Sequence, residues 1–366
     1  MLFRSIQTSN FAFKNVSEFR KGLANEYDAL LYSRGNNPTV DILRKKLAAL
    51  DGAEDALVFG SGIASISIPI LALLKQGDHV VSVAKPYTWT IKLFENLLPK
   101  FGITTTFIDG TKTENFEMAI QSNTSLIYLE SPNTLTFELQ DLEAVSRFAK
   151  SKKITTMIDN SYSSPLNQQP YKMGIDLVAQ SATKFIGGHS DVVAGVVSGS
   201  KALIKKIFDA EFLTIGGNIS PMNAWLLIRG LRTIQLRQDR ICDSTKKVVD
   251  FLATHPKIEK VIFPFHPSFP QYALAKKQMK NAGGLFSVAL KAGSVEEIEK
   301  FCDALKHFIQ AVSWGGHESL VIPAVAGFPA KDFDRNNPRH RLIRFYVGLE
   351  DPDYLIADLK QSLDKI

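Results

Sequence analysis

Between residues 53 and 199, short β-branched or apolar runs alternate with longer helical patterns, and this alternation constrains the chain more than any other feature. The runs are Ala56–Phe59, His79–Val83, Thr104–Ile108, Ser125–Leu129, Thr155–Ile158, Leu177–Gln180 and Val192–Val197. Strands separated by helices line up as a mainly parallel sheet with helices on its faces, so an α/β domain is expected. Ligands of such sheets bind beyond the carboxyl ends of the strands, which directs attention to where each run stops. Further on, Trp225–Phe251 reads as one long helix or two, while Phe286–Leu290 and Leu342–Val347 read as strands among helices. A smaller α/β carboxyl-terminal domain is therefore expected over residues 230–366, after a large domain over 41–229. The segment Tyr32–Thr39 has few periodic apolar positions and reads as part of an arm, residues 1–40, that docks elsewhere.

Several classes of function are excluded at this level. The longest apolar stretches, such as Ile63–Leu74, are interrupted by Ser and Pro and fall short of the roughly 20 residues a membrane helix needs. Residues 1–10 lack the apolar block and small-residue cleavage site of a secretory signal, so a cytoplasmic protein is expected. Cys242 and Cys302 are far apart and have no neighbour at metal-ligand spacing; they read as buried thiols, with no disulfide framework and no metal site. The net charge of +6 is spread along the chain, which argues against a nucleic-acid footprint.

Three strand ends carry chemistry. Gly60-Ser61-Gly62-Ile63 follows one strand and opens a helix, where backbone N–H groups and the helix dipole can face an anion. It lacks the third glycine of a dinucleotide fingerprint and the Lys of a Walker loop, and a structural turn remains open as its reading. Asp159 stands where the apolar run Thr155–Ile158 stops, and Gln180-Ser181-Ala182-Thr183-Lys184 leaves another strand end with two hydroxyls and a lysine. Singly, such residues cap helices or face solvent. Together they match what pyridoxal 5'-phosphate (PLP) requires: a lysine for covalent attachment, a carboxylate for the pyridine nitrogen, and donors for a phosphate.

The stretch Ser181-Ala182-Thr183-Lys184-Phe185-Ile186-Gly187-Gly188-His189-Ser190-Asp191 resembles the lysine signature of the Cys/Met-metabolism (transsulfuration) PLP enzymes. That family includes the cystathionine β-lyases, cystathionine γ-synthases, cystathionine γ-lyases and methionine γ-lyases. The likeness extends through Tyr32-Ser33-Arg34-Gly35-Asn36-Asn37-Pro38-Thr39, Glu130-Ser131-Pro132, Asp159-Asn160-Ser161-Tyr162, Ser313-Trp314-Gly315-Gly316-His317-Glu318 and Arg344-Phe345-Tyr346-Val347-Gly348-Leu349-Glu350. It implies the aspartate-aminotransferase-like fold (fold type I), with a mainly parallel seven-stranded sheet in the large domain, and a homo-oligomer, a tetramer built as a dimer of dimers.

Carried over position by position, the resemblance implies that Lys184 binds PLP and moves protons, and that Asp159 pairs with the ring nitrogen. Gly62, Ile63, Ser181 and Thr183 would hold the phosphate, joined by Tyr32 and Arg34 from a neighbouring subunit. Tyr87 would stack on the ring and, with Tyr32, belong to the catalytic set. Arg344, Ser313 and Trp314 would bind the substrate, Arg344 as a bidentate fork on its carboxylate. His189 reads as structural. Thr134 stands where the family's usual Asn, a partner of the cofactor's ring oxygen, is missing.

The implied activity is that of a carbon–sulfur β-lyase, similar to cystathionine β-lyases, acting on cystathionine or a related sulfur amino acid. Trp314 and the stretch Leu129–Thr136 resemble the β-lyase branch, whereas Val312 is similar to methionine γ-lyases, so γ-synthase or γ-lyase chemistry is the alternative. The segment Pro86-Tyr87-Thr88-Trp89-Thr90 departs from the usual Tyr-Gly-Gly-Thr and puts bulk near the cofactor. An aminotransferase and an inactive PLP-binding regulator are the readings from other classes.

Overall fold

The computed structural model describes residues 5–366, so the first four residues of the expected arm lie outside the described residues. Seven strands form the larger sheet: β1 (Asp55–Phe59), β2 (His79–Val83), β3 (Thr104–Ile108), β4 (Thr124–Glu130), β5 (Thr155–Asp159), β6 (Leu177–Gln180) and β7 (Gly195–Gly199). Their spatial order is β1-β7-β6-β5-β4-β2-β3, and only β7 runs against its neighbours. Because β7 is antiparallel to both β1 and β6, those two strands point the same way. The carboxyl ends of β1, β2, β4, β5 and β6 consequently share one edge.

Both faces of this sheet are covered, which is why its strands read as near-continuous apolar runs rather than as alternating ones. Leu126, Tyr128, Met157 and Leu177 pack into one buried cluster, while Ile127, Leu129, Ile158 and Val178 pack into another. The strand expected at Val192–Val197 lies at Gly195–Gly199, starting three residues later and ending two later. Pairing with β1 and β6 decides this: Ser198 is fully buried in the ladder, whereas Val193 is exposed.

Four helices come early in the chain. They are α1 (Val16–Ala24), α2 (Pro38–Asp51), α3 (Ala64–Leu73) and the short α4 (Thr88–Lys92). Helix α2 begins inside the segment read as an arm: Asn37 caps it by accepting from the Thr39 N–H, and Asn37 and Thr39 are buried. Side chains Leu43 and Leu47 of α2 pack with Val58, Val196 and Leu227. The long carboxyl-side helical pattern resolves into two helices, Pro221–Leu231 and Ile234–Thr254.

The second sheet has five strands, β8 (Ile258–Ile262), β9 (Leu285–Leu290), β10 (Ile309–Gln310), β11 (Leu320–Pro323) and β12 (Leu342–Tyr346), in the order β10-β11-β12-β9-β8. Only β10 and β11 are parallel. Its core is aromatic, with Phe286 stacked on Phe345 at 5.6 Å and Phe308 edge-on to Phe345 at 5.1 Å. Both cysteines are buried, and burial pushes each thiol up to about 12. Among the described residues no helix is long and apolar enough to cross a membrane, and no cluster of three His, Cys, Asp or Glu side chains could hold a metal.

Candidate active site

Strand ends of the larger sheet meet the second sheet around Lys184. The lysine lies in the loop after β6, and that loop is pinned from behind. Buried Arg237 donates from Nη1 to the Phe185 carbonyl and from Nη2 to the Gly230 carbonyl, both at 2.9 Å. Gly230 lets its helix approach so closely that a Cβ there would sit 2.4 Å from the Gly187 carbonyl oxygen. The backbone on either side of Lys184 is therefore fixed by packing.

In front, Lys184 Nζ donates to Ser313 Oγ at 2.5 Å and lies 5.3 Å from the centre of the Trp314 ring, which is itself edge-on to Phe185. Ser313 holds a positive φ of 81°, a conformation costly for a residue with a side chain, and such residues cluster at functional sites. Arg344, in the middle of β12, donates from Nη2 to the Ser313 carbonyl at 3.3 Å. Burial brings the Arg344 guanidinium down to about 10. For Lys184, burial and then the positive charge of Arg344 bring the amine down to about 8, against an opposing pull from Asp159. A lysine in this state holds a sizeable neutral fraction near neutral pH, as a nucleophile or base must.

Asp159 closes β5, and its Oδ1 accepts from the Ser161 N–H at 2.9 Å. Burial raises its pKa, while Ser161 and Lys184 oppose the rise. Tyr87, at the start of α4, has a raised pKa from burial and from the charges of Asp159 and Glu130, and its ring stays partly exposed. Lys184, Asp159, Tyr87, Ser313, Trp314 and Arg344 thus fall into one cluster.

The glycine loop after β1 joins it from the side. A Cβ on Gly62 would lie 2.7 Å from Ser181 Oγ, so this close approach needs glycine. Ile63 caps α3, and the Ser181 N–H donates to Ser161 Oγ at 2.6 Å. The Thr183 hydroxyl sits between the Ala194 carbonyl (3.1 Å) and the Ala194 N–H (3.0 Å), which orients it at the base of the loop. Tyr32 and Arg34 stand apart: both are exposed, and the Arg34 guanidinium lies 5.4 Å from the Tyr32 ring centre. Within one chain neither hydrogen-bonds to the cluster among the described residues. His189 contacts the Gly187 carbonyl through Nδ1 at 2.7 Å, a local loop contact.

Sequence reasoning gave no role to Glu130 or Arg237. Glu130 closes β4 directly beside Asp159 in the ladder. Its pattern, an acidic residue where an apolar strand stops, is the one that singled out Asp159. Arg237 gives no such signal, because a buried arginine in a helix is indistinguishable in sequence from a solvated one.

The donor set fits PLP. Asp159 has no side-chain cation within ion-pairing distance among the described residues, which suits a protonated ring nitrogen, and the glycine loop and Ser181 suit a phosphate. A mainly parallel sheet with this lysine and this carboxylate at its strand ends defines a PLP-dependent enzyme of fold type I. The chain belongs to the Cys/Met metabolism PLP-dependent enzyme family, whose model matches residues 4–364. It is 36% identical to the L-methionine gamma-lyase of Treponema denticola, covering 98% of this chain and 91% of that one. It is also 36% identical to the chloroplastic cystathionine gamma-synthase 1 of Arabidopsis thaliana, covering 99% of this chain and 65% of the relative. A solved structure of metB from Corynebacterium glutamicum superposes with a TM-score of 0.89 at 35% identity, over 98% of this chain and 91% of the other.

Proposed function

We propose that this PLP-dependent transsulfuration enzyme breaks the bond between sulfur and the γ-carbon of an amino acid such as methionine or cystathionine. The observation that carries the reading is the contact of Lys184 with Ser313 beside Arg344, which puts a proton-accepting amine next to a cation suited to an amino acid's carboxylate. The relatives, a methionine gamma-lyase and a cystathionine gamma-synthase, support the γ-position over the β-position. Trp314, against Lys184, is the feature that favours β-elimination as a second reading.

In this reading the roles follow the chemistry of each group. Bound PLP supplies an electron sink for charge released at the substrate's α-carbon. Asp159 keeps a proton on the ring nitrogen. Gly62, Ile63, Ser181 and Thr183 hold the phosphate, and Tyr87 covers one ring face. Arg344, with Ser313 and Trp314, fixes the substrate so that its α-hydrogen points at Lys184 Nζ. Elimination at Cγ takes a proton from Cα and a second from Cβ, and breaks Cγ–S with the electron pair leaving on sulfur. The departing thiolate takes up one proton and Cγ the other, and water then releases 2-oxobutanoate and ammonia from methionine. Lys184 and Tyr87 are the two groups of the cluster able to relay these protons.

The same reading takes the chain as an arm (residues 1–40), a PLP-binding large domain (41–229) and a small domain (230–366). It takes the active form as a cytoplasmic homotetramer in which Tyr32 and Arg34 complete a neighbour's phosphate site. Exposed Val16, Phe19 and Leu23 on α1 support an arm that is covered by another copy. The test is to give the PLP-loaded protein L-methionine and L-cystathionine separately and identify the keto acid by mass spectrometry. 2-Oxobutanoate from either supports γ-elimination; pyruvate with homocysteine from cystathionine overturns it in favour of β-elimination.

A further inference from the structure

We propose that Glu130 is a positioning residue that ties the Tyr87 loop to strand β4 as a neutral carboxyl and so leaves the negative charge of a paired site on Asp159. Glu130 is buried, with 5% of its surface exposed, and no lysine or arginine pairs with it among the described residues. Its Oε2 accepts from the Tyr87 backbone N–H at 2.7 Å, and its Oε1 meets the Thr134 hydroxyl at 2.7 Å. The ladder places it directly opposite Asp159. Two carboxylates side by side in a buried site repel, so one of the pair retains a proton.

Burial beside Asp159, with no cation paired to it, makes Glu130 the holder of that proton, and Thr134 keeps it partnered. A hydroxyl donates to a carboxylate and, turned over, accepts from a carboxylic acid, so Glu130 keeps a partner in either state. Asp159 accepts from the Ser161 N–H, as Glu130 does from that of Tyr87, but it also feels the positive charge of Lys184, which favours its ionised form. Burial and then the charge of Asp159 push Glu130 up to about 8. The other titratable groups that sense Glu130 are Tyr87 from the loop before α4 and Tyr128 from β4 itself, while Lys184 senses Asp159. A neutral Glu130 thus holds Tyr87 without competing with Asp159 for the ring nitrogen, a role that rests on the cofactor roles proposed above.

The experiment compares wild type, E130Q, E130A and T134V in two forms. For the cofactor-free proteins, thermal stability is measured from pH 5 to 9. Glu130's folded pKa lies above its unfolded value, so its contribution is complete below about pH 4.5 and is lost as pH rises through about 8. Wild type should lose stability over that window. E130Q, which keeps the amide oxygen for Tyr87 and carries no titrating proton, should lose less, the remainder coming from Asp51, which burial pushes up to about 7, and from Asp159. The Thr134 contact lowers Glu130's pKa, so T134V should shift the loss to higher pH.

For the PLP-loaded proteins, the visible circular dichroism band and kcat/KM are read. E130A should move or flatten the band and lose about tenfold or more in kcat/KM, the scale of one buried hydrogen bond to a charged or fully desolvated group. E130Q should restore the band to the wild-type position. The proposal is overturned by an E130Q as impaired as E130A, by an E130A with a wild-type band, or by an E130Q that loses as much stability between pH 5 and 9 as wild type. If E130A fails to fold, E130Q and T134V decide the matter alone. A wild-type protein that develops no visible band with PLP would instead sink the underlying cofactor roles.

Discussion

The larger sheet contributes its site residues from loops that begin where strands stop, whereas the five-stranded sheet contributes Arg344 from the middle of β12. The two placements are secured differently. Arg344 is held by its ladder, opposite Ile322 on one side and Ser287 on the other. Lys184 and Asp159 lie where ladder pairing ends, and depend on particular ties: Arg237 to the Phe185 carbonyl, Ser161 to Asp159 and Ser181, Glu130 to Tyr87. Ends of parallel strands can be re-aimed by a loop; a mid-strand side chain cannot. The difference suits a division in which one sheet handles the cofactor and the other grips the substrate's unchanging carboxylate.

If that division holds, damage to the large-sheet side should fall on the cofactor signature and on kcat. Lys184→Ala should remove the visible band of lysine-bound PLP and lower kcat by about 10³-fold or more, the scale of a lost general base that is also the attachment point. Asp159→Asn keeps the shape but not the charge, and should lower kcat by about 10²-fold while PLP still binds, the scale of a lost charge aimed at a developing one. A Lys184→Ala protein that turned over sulfur amino acids at the wild-type rate would end the assignment.

Damage to the other sheet should spare the band. Arg344→Ala should raise KM by roughly 10- to 100-fold through loss of a charge-assisted bidentate contact, with a wild-type absorption spectrum. Arg344→Lys should recover only part of this, since a point charge does not reproduce the fork. A large fall in kcat at unchanged KM would show that Arg344 serves the transition state rather than the bound substrate.

How much of this was legible beforehand differs between the same two regions. Strands β1 to β6 could be read because both faces of their sheet are buried, which leaves unbroken apolar runs. Strand β7 is hard to place from sequence because Ser198 and two glycines make up three of its five residues, and only pairing makes them a strand. Strands β8, β10 and β11 went unread: β8 exposes Glu259 and Lys260, and β10 has just two residues. At the site, Lys184, Asp159 and Arg344 could be named from motifs. The ties that position them, through Glu130 and Arg237, depend on distances between segments far apart in sequence, which no local pattern encodes.

The smallest effect is the one that shows whether the two regions act separately at all. Arg344 lies on the second sheet, yet its charge is among the causes that bring the Lys184 amine down to about 8, and Asp159 pulls the other way. Only the neutral amine attacks a carbonyl, so the rate at which cofactor-free protein takes up PLP should rise about tenfold per pH unit below a midpoint near 8 and level off above it. Removing the positive charge in Arg344→Ala stabilises the ammonium and should move that midpoint up. Removing the negative charge in Asp159→Asn should move it down. Stopped-flow absorbance across pH 6 to 10 measures both shifts, and opposite signs from the two variants would mean that the substrate-gripping sheet also sets how readily the cofactor lysine reacts. Coincident midpoints in all three proteins would leave burial alone as the cause of the lowered pKa and the two sheets electrostatically independent.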